Sequence, residues 1–319
     1  MNEKAVEIIN FVKKFGDFVA VDNISLTIYT GEIFGLLGPN GSGKTTTLLT
    51  IATVYKPTSG DIRVYGYSVV SDGDKVRKLI GIAFQEPKAL GIDKPFDLLL
   101  WHAKVVGYSS TEAKNIVKEV MEDLGLWDHR NKYFYQLSGG TRKKIEIAKI
   151  LIQKPKVAIF DEPTAQVDVI SKHYLWNKIR ELKDEGSTII IATNDMFEAE
   201  RICERLAIIY KGKLKAVGTV KELKDSVPLG DIIELDLATY VDSKVLDLLK
   251  PFGKVSAVGN KVLVYVNRGE EVAVDIIDSL RRVGIKVAKI MVKEPTLDDV
   301  FFHLTGVKLK EEMWSAGDI

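Results

Sequence analysis

Hydrophobic positions in the first two thirds of the chain form short runs that alternate with helical stretches. The N-terminal stretch contains VEIINFV, VAVDNISLTIY and EIFGLLG, whose β-branched and aromatic residues are typical of strands. Later strands are uninterrupted apolar runs such as VAIF and IIIA. Such runs indicate strands that are buried on both faces. We therefore predict an α/β fold with a mainly parallel sheet between two layers of helices.

The alternation ends near residues 221–230, where KELKDSVPLG contains proline and glycine. The order beyond it is strand, helix, strand, strand, helix, strand, from DIIELDL to IKVAKIMVK, and a last helix, TLDDVFFHLTG, follows Pro295. This βαββαβ order predicts a small α+β domain of ferredoxin-like topology. The predicted division is 1–225, with a helical part at about 90–150, then 226–305, and a tail at 306–319.

The composition excludes several classes of protein. Hydrophobic residues make up 46% and charged residues 28% of the chain, which argues against disorder. The formal net charge of +1 gives no support for nucleic acid as a partner. Cys203 is the single cysteine and lies in an apolar setting, so we predict a buried, inert thiol in a reducing compartment. The N terminus lacks the apolar core of a signal peptide, and no apolar run reaches the ~18–20 residues of a membrane helix.

A glycine-rich loop, GPNGSGKT, lies between a predicted strand and a predicted helix. Its glycines let successive backbone N–H groups point inward, and the helix N-terminus adds partial positive charge, so the loop can hold phosphates. Lys44 can reach the β- and γ-phosphates, and the Thr45 hydroxyl can coordinate Mg²⁺. The motif alone leaves kinases, GTPases, helicases and transporters open. The predicted phosphate site consists of Gly38, Pro39, Asn40, Gly41, Ser42, Gly43, Lys44, Thr45 and Thr46.

The strand VAIFDE carries two carboxylates at its C-terminal end. That edge of an α/β sheet is where ligands bind. We predict that Asp161 holds Mg²⁺ through water and that Glu162 polarises an attacking water molecule. The alternative is that Asp-Glu-Pro only ends a strand.

A third motif, LSGGTRKKIEIAKILI, begins at Leu137. Taken alone, Ser138 reads equally well as a helix N-cap. A serine hydroxyl, glycine N–H groups and a helix N-terminus also form an anion site, to which Arg142, Lys143 and Lys144 would add charge. Between the glycine-rich loop and VAIFDE, the motif resembles the signature sequence of the ATP-binding cassette (ABC) family. The resemblance covers residues 1 to about 225, and EPTLDDVFFHLTG resembles the C-terminal extension of daunorubicin-resistance-type exporter ATPases.

The resemblance implies an ABC cassette of the P-loop NTPase fold, with an antiparallel β subdomain and a helical subdomain beside the parallel sheet. It implies an ATPase that uses ATP and Mg²⁺. In this family Ser138, Gly139 and Gly140 would close over the γ-phosphate that a second subunit holds, in a head-to-tail dimer. The implied partners are a second cassette, identical or different, and an integral-membrane permease. The chain would then be cytoplasmic and bound to the inner face of the membrane through the permease.

Several single residues resemble family positions. Gln85 in IAFQEP resembles the glutamine that touches Mg²⁺ and the attacking water. Asp168 in TAQVD resembles the D-loop aspartate, although Gln166 stands where the family usually has a small residue. Phe15 in VKKFGDF resembles the aromatic residue that stacks on adenine, and the alternative is a core phenylalanine.

One position departs from the family pattern. Asn194-Asp195 follows the strand STIIIAT, where the family normally has His-Asp. Asp195 with Glu198 also reads as the start of a helix with a capping box. This leaves open whether Asn194 can do the work of the missing histidine.

The main hypothesis is the ATP-binding subunit of an exporter, with Glu162, Gln85, Asn194 and Lys44 as catalytic residues. One alternative is a soluble ABC ATPase that acts on DNA or ribosomes. Such proteins usually carry a long coiled coil, zinc-binding cysteines or two cassettes, and this sequence has no heptad run, one cysteine and one cassette. The other alternative is a slow or non-hydrolysing regulatory subunit, for which Asn194 is the only motive.

Overall fold

The computed structural model describes residues 3–87, 89–226, 230–238 and 242–307. It divides into two compact units, Met1–Val217 and Gly218–Ile319. The division therefore lies earlier than the predicted 225/226. The reason is that the short helix Val220–Asp225, which was placed in the first domain, packs against the helix Leu297–Thr305 of the second unit.

The first unit contains ten strands and seven α-helices within the described residues. They are β1 (Lys4–Phe15), β2 (Phe18–Tyr29), β3 (Ile33–Leu37), α1 (Lys44–Ile51), β4 (Ser59–Val64), β5 (Tyr67–Ser68), α2 (Gly73–Leu79), β6 (Ile80–Ala83), α3 (Pro95–Val105), α4 (Ser110–Asp123), α5 (Gly139–Gln153), β7 (Val157–Asp161), α6 (Val169–Asp184), β8 (Thr188–Thr193), α7 (Met196–Ile202), β9 (Arg205–Tyr210) and β10 (Lys213–Thr219).

A six-stranded sheet in the order β10-β9-β3-β8-β7-β6 forms the centre of this unit. The strands from β9 to β6 pair in parallel. Every residue of β3, β7 and β8 is buried, which confirms the prediction from their uninterrupted apolar runs. Cys203 is buried as predicted, and burial raises the pKa of its thiol.

Two further layers complete the first unit. A four-stranded sheet in the order β2-β1-β4-β5 is antiparallel, and its buried face shares one hydrophobic core with the central sheet. Helices α3, α4 and α5 pack against one another and form the predicted helical part. Helix α4 starts with a capping box in which Ser109 and Glu112 each accept the other's backbone N–H.

The second unit begins with α8 (Val220–Asp225). It continues with β11 (Asp231–Leu237), α9 (Ser243–Leu249), β12 (Lys254–Val258), β13 (Lys261–Val266), α10 (Gly269–Arg282), β14 (Val287–Lys293) and α11 (Leu297–Thr305). Its antiparallel sheet has the order β12-β13-β11-β14. Strands β11 and β13 alternate between buried and less buried residues, and their buried residues share one core with α9 and α10. This is the predicted ferredoxin-like βαββαβ arrangement. Most of the predicted tail lies outside the described residues.

No helix within the described ranges combines the length and the apolar character that a membrane span requires.

Candidate functional site

The loop between β3 and α1 curls at the N-terminus of α1. A Cβ atom on Gly38 would lie 2.1 Å from the carbonyl oxygen of Ile209 and 2.7 Å from Ser42 Oγ, so only glycine fits there. Gly41 and Gly43 have φ angles of +74° and +103°, in the left-handed region that favours glycine. The backbone N–H of Gly212 donates to Ser42 O at 3.1 Å and fixes the loop against the β9–β10 turn.

Lys44 lies inside this loop. Its side chain is buried, and Nζ donates to the carbonyl oxygens of Gly38 at 2.8 Å and Pro39 at 2.9 Å. Burial lowers the pKa of the ammonium, whereas the nearby carboxylates of Glu162 and Asp161 oppose that shift. The ammonium is thus positioned where the loop's N–H groups and the helix N-terminus would meet an anion.

Asp161, the last residue of β7, contacts the start of α1. Its Oδ2 accepts a hydrogen bond from Thr45 Oγ1 at 2.8 Å. Burial raises the pKa of this carboxyl, whereas the bond from Thr45 and the charge of Lys44 lower it. A hydroxyl and a carboxylate oxygen in contact suit Mg²⁺, which binds few protein oxygens and retains several waters. Two of the three predicted metal ligands, Thr45 and Asp161, therefore lie side by side.

Glu162 follows Asp161 in a left-handed conformation with φ +48°. Its backbone N–H donates to Ala192 O at 2.8 Å, and its Oε2 accepts from Gln85 Nε2 at 2.9 Å. Burial is the main cause that raises the pKa of Glu162, and Lys44 opposes it. A carboxylate with a raised pKa and a fixed orientation is suited to accept a proton. The structure therefore brings together Gln85 and Glu162, which are far apart in sequence.

Asn194 follows β8 and reaches the glycine-rich loop, where its Nδ2 donates to Asn40 Oδ1 at 3.1 Å. Asp195 caps α7, as predicted, and accepts from the backbone N–H of Phe197 at 3.0 Å and of Glu198 at 3.2 Å. A capping box would also require the Glu198 side chain to accept from the backbone N–H of Asp195, and this part of the prediction is wrong. Glu198 is buried instead, and its Oε1 accepts from Thr164 Oγ1 at 2.6 Å and Trp176 Nε1 at 3.0 Å.

The motif LSGG lies at the exposed start of α5. Ser138 is the N-cap and accepts from the backbone N–H of Thr141 at 3.2 Å, a role compatible with an anion site at the same helix end. Gly139 and Gly140 form the first turn, with their N–H groups at the helix N-terminus. A Cβ atom on Gly139 would lie 2.5 Å from Gln166 Oε1. The motif and the residues before Asp168 are therefore in contact.

The basic residues after the motif do not all face outward. Lys143 is only 7% exposed, and its Nζ donates to Phe84 O at 3.4 Å and Asp161 O at 3.3 Å. Lys143 therefore contacts the backbone beside the chain's own carboxylates Asp161 and Glu162. The prediction that it adds charge beside Ser138 is wrong. Its helical phase was a usable signal, because Ile147 and Ile150, four and seven residues later, are buried on the same face.

Two further candidates lie at the margin of the site. Phe15 ends β1 and is 43% exposed, so it is not a core residue; its ring lies 5.3 Å from that of Tyr55. Asp168 is the N-cap of α6 and accepts from the backbone N–H of Ser171 at 2.9 Å, which lowers its pKa. Gln166 has a φ angle of +62°, a conformation that glycine adopts without strain.

Sequence relatives match this chain over nearly their whole length. Residues 21–165 match the ABC transporter family, and residues 218–305 match the C-terminal domain of DrrA1-3-like ATP-binding proteins. The Nod factor export ATP-binding protein I of Rhizobium sp. (strain N33) is 30% identical over 98% of this chain and 100% of its own length. The linearmycin resistance ATP-binding protein LnrL of Bacillus subtilis (strain 168) is 31% identical over 95% of this chain and 98% of its own. The daunorubicin resistance ATP-binding protein DrrA3 of Streptomyces coeruleorubidus is 30% identical over 96% of this chain and 97% of its own length.

Solved structures match about two thirds of this chain. A dimeric ATP-binding cassette in a post-hydrolysis state with ADP and Pi superimposes with a TM-score of 0.63 at 25% identity, over 67% of this chain and 98% of that one. An ATP-binding subunit of an ABC transporter superimposes with a TM-score of 0.64 over 69% of this chain and 92% of that one. The glycine-rich loop, the paired carboxylates and the LSGG helix occur here in one chain with a DrrA-like C-terminal domain. This chain belongs to the ABC transporter family, as an ATP-binding and ATP-hydrolysing subunit.

Proposed function

We propose that this chain is the motor of an exporter and that two cassettes drive a separate membrane permease. Each ATP would lie between the glycine-rich loop of one cassette and Ser138–Gly140 of the other. Relatives of near-complete coverage carry names of export or drug resistance, which supports export as the direction. The chain would act in the cytoplasm, held at the inner face of the membrane by the permease.

The observation that carries the proposal is the double contact at the ends of β6 and β7. Thr45 donates a hydrogen bond to Asp161, and Gln85 donates one to Glu162. Two proposed metal ligands therefore lie next to the proposed general base and its hydrogen-bond donor. Thr45, Asp161 and Gln85 would hold Mg²⁺, which neutralises phosphate charge when it is bound. Lys44 would bind the β- and γ-phosphates, and Glu162 would take a proton from the attacking water.

The exposure of the LSGG helix supports a second cassette as partner. The start of α5 presents a capping serine and two glycines at the surface, while Lys44 and the loop amides can hold the chain's own nucleotide. A helix N-terminus with free N–H groups is a binding site for an anion. The position of the LSGG motif in this family implies that the anion is the γ-phosphate of the ATP that the partner cassette holds. Phe15 and Asp168 complete the proposed nucleotide contacts.

A groove between α3, α5 and β6 supports the permease as the other partner. Its volume is 400 Å³, and its walls include Phe84, Leu98 and Trp101, of which Trp101 is 63% exposed. Leu90 and Ile92 are also exposed nearby in sequence. Large exposed apolar side chains around a groove mark a protein interaction surface. Phe84 directly precedes Gln85, so a partner in this groove would contact the residue next to the catalytic glutamine.

The decisive test is Glu162→Gln, which keeps the size of the side chain but removes the base. We expect ATP binding within about twofold of wild type and a loss of turnover of about 10²–10⁴-fold, the usual contribution of a general base. The ATP-bound dimer should accumulate, as measured by size-exclusion chromatography with light scattering.

A matched control is Glu185→Gln, because Glu185 lies at the surface in a salt bridge with Lys154. It should leave binding and turnover unchanged. Turnover close to wild type in Glu162→Gln would exclude Glu162 as the base. Wild-type protein that binds ATP but never hydrolyses it would favour the alternative of a regulatory subunit, for which Asn194 is the motive.

A further inference from the structure

Lys143 is an unusual residue because its ammonium is buried beside the catalytic carboxylates. It lies in the second turn of α5 and is 7% exposed. Removing an ammonium group from water is costly unless hydrogen bonds and charges compensate it. Here Nζ donates to the carbonyl oxygens of Phe84 at 3.4 Å and Asp161 at 3.3 Å, and Asp161 and Glu162 supply negative charge.

The two carbonyl groups hold equivalent places in the sheet. Phe84 follows β6 and directly precedes Gln85, and Asp161 ends β7 and directly precedes Glu162. The strands β6 and β7 are parallel neighbours with Ala83 opposite Phe160. Lys143 therefore bridges the backbone of both strands one residue before the pair Gln85–Glu162, whose side chains bond at 2.9 Å.

The same helix carries the LSGG motif. Ser138 caps α5, and Lys143 follows Gly139 by four positions, which is about 6 Å along a helix axis. The backbone N–H of Arg142 donates to Ser138 O at 3.0 Å, so the first helical turn is closed between the motif and Lys143. Displacement of the α5 N-terminus by a ligand would therefore displace the Lys143 ammonium and the two carbonyl groups that it holds.

We propose that Lys143 is a positioning residue that links the LSGG end of α5 to the Gln85–Glu162 pair of its own chain. The inference rests on the proposed function, in which the LSGG end contacts the nucleotide of a second cassette. Occupation of one site would thereby set the geometry of the catalytic pair in the other site. Lys143 itself touches neither nucleotide and acts through the two backbone carbonyls.

The first test is Lys143→Met, which removes the ammonium and keeps an unbranched side chain. We expect kcat to fall by about tenfold to hundredfold, the cost of a displacement of about 1 Å at a catalytic group, while the Kd for ATP stays within about twofold. Lys143→Arg, which retains the charge and the donors, should recover most of kcat. The Hill coefficient of wild-type turnover against ATP should exceed 1 and fall towards 1 in Lys143→Met. Lys114→Met is the control, because Lys114 is exposed on α4.

A double-mutant cycle with Gln85→Ala separates positioning from general destabilisation. If Lys143 acts through the pair, Lys143→Met should cost less than about twofold in kcat when Gln85 is already absent. An equal loss of kcat in both backgrounds, or a parallel loss of ATP binding, would overturn the proposal. Lys143→Gln, a smaller perturbation, is the second variant should the methionine variant not fold, and wild-type kcat and Hill coefficient in it would also overturn the proposal. Failure of the proposed function is distinguishable, because wild-type protein would then hydrolyse ATP without forming an ATP-dependent dimer, whatever the effect of Lys143→Met on kcat.

Discussion

Asn194→His restores the residue that the ABC family normally carries at the end of β8. In this chain the Asn194 amide donates to Asn40 Oδ1 at 3.1 Å, so it contacts the glycine-rich loop directly. An imidazole is longer than a carboxamide, and it can carry positive charge or relay a proton. We expect the variant to bind ATP as the wild type does and to hydrolyse it faster.

The expected gain in kcat is the value of a full transition-state donor less what the Asn194 amide already supplies. Loss of one well-placed transition-state donor typically costs ~10²–10³-fold in kcat, or about 2.7–4 kcal/mol. The Asn194 amide supplies part of that stabilisation, so the gain should be smaller, about tenfold. The variant also loses the bond to Asn40, and a net hydrogen bond contributes about 0.5–1.5 kcal/mol to stability. Binding should hardly change, because Lys44 and the loop amides remain.

The assay is steady-state turnover at saturating ATP and Mg²⁺, with the Kd for ATP and the dimer fraction measured alongside. Asn131→His is the control, because Asn131 is exposed and lies outside the site. The reasoning is refuted if Asn194→His is no faster than the wild type while its dimer is intact. In that case Asn194 does not limit hydrolysis and acts only as a contact for the loop.

Two further predictions concern the loop and the second unit. Gly38→Ala would place a Cβ atom 2.1 Å from Ile209 O, so it should cost about 1–3 kcal/mol of stability and weaken ATP binding. Gly31→Ala, outside the glycine-rich loop, meets open space and should cost about 1–2 kcal/mol from its φ of +74° alone, with ATP binding retained. Thermal denaturation and ATP titration measure both, and equal ATP affinities in the two variants would contradict the role of Gly38. A chain that ends at Thr219 retains β10 and the whole candidate site, so it should fold and bind ATP within about twofold of the full chain; a folded fragment without ATP binding would contradict the proposed division of labour.

The parts of the fold that follow from local pattern were predictable. Buried strands such as β7 and β8 are continuous apolar runs, because both faces of the central sheet are covered. The glycine-rich loop has a signature for the same reason, since the close approach of Gly38 to Ile209 admits no side chain. The second unit was predictable in its order of elements, because strands such as β11 and β13 alternate between buried and less buried residues and the elements are well separated along the chain.

The unit boundary was misplaced because a helix's own sequence does not state what it packs against. The helix Val220–Asp225 directly follows β10 and begins with the capping residue Thr219, so it reads as the end of the first domain. Its contact with α11 assigns it to the second unit, and α11 lies more than seventy residues further along the chain. Local capping signals fix where a helix starts, whereas tertiary packing assigns it to a unit.

Buried polar groups were the other failure, and for a common physical reason. Glu198 satisfies the spacing of a capping box, yet its carboxylate accepts bonds from Thr164 and Trp176 inside the protein. Lys143 belongs to a run of three basic residues, yet it is buried, and two backbone carbonyls and the charges of two carboxylates compensate its ammonium. A backbone carbonyl is present at every position, so a side chain that depends on one leaves no motif in the sequence. The helical phase of Lys143 marks it as buried, but its partners are found only when the ends of neighbouring strands are seen together, and in this chain those ends are where Gln85 and Glu162 meet.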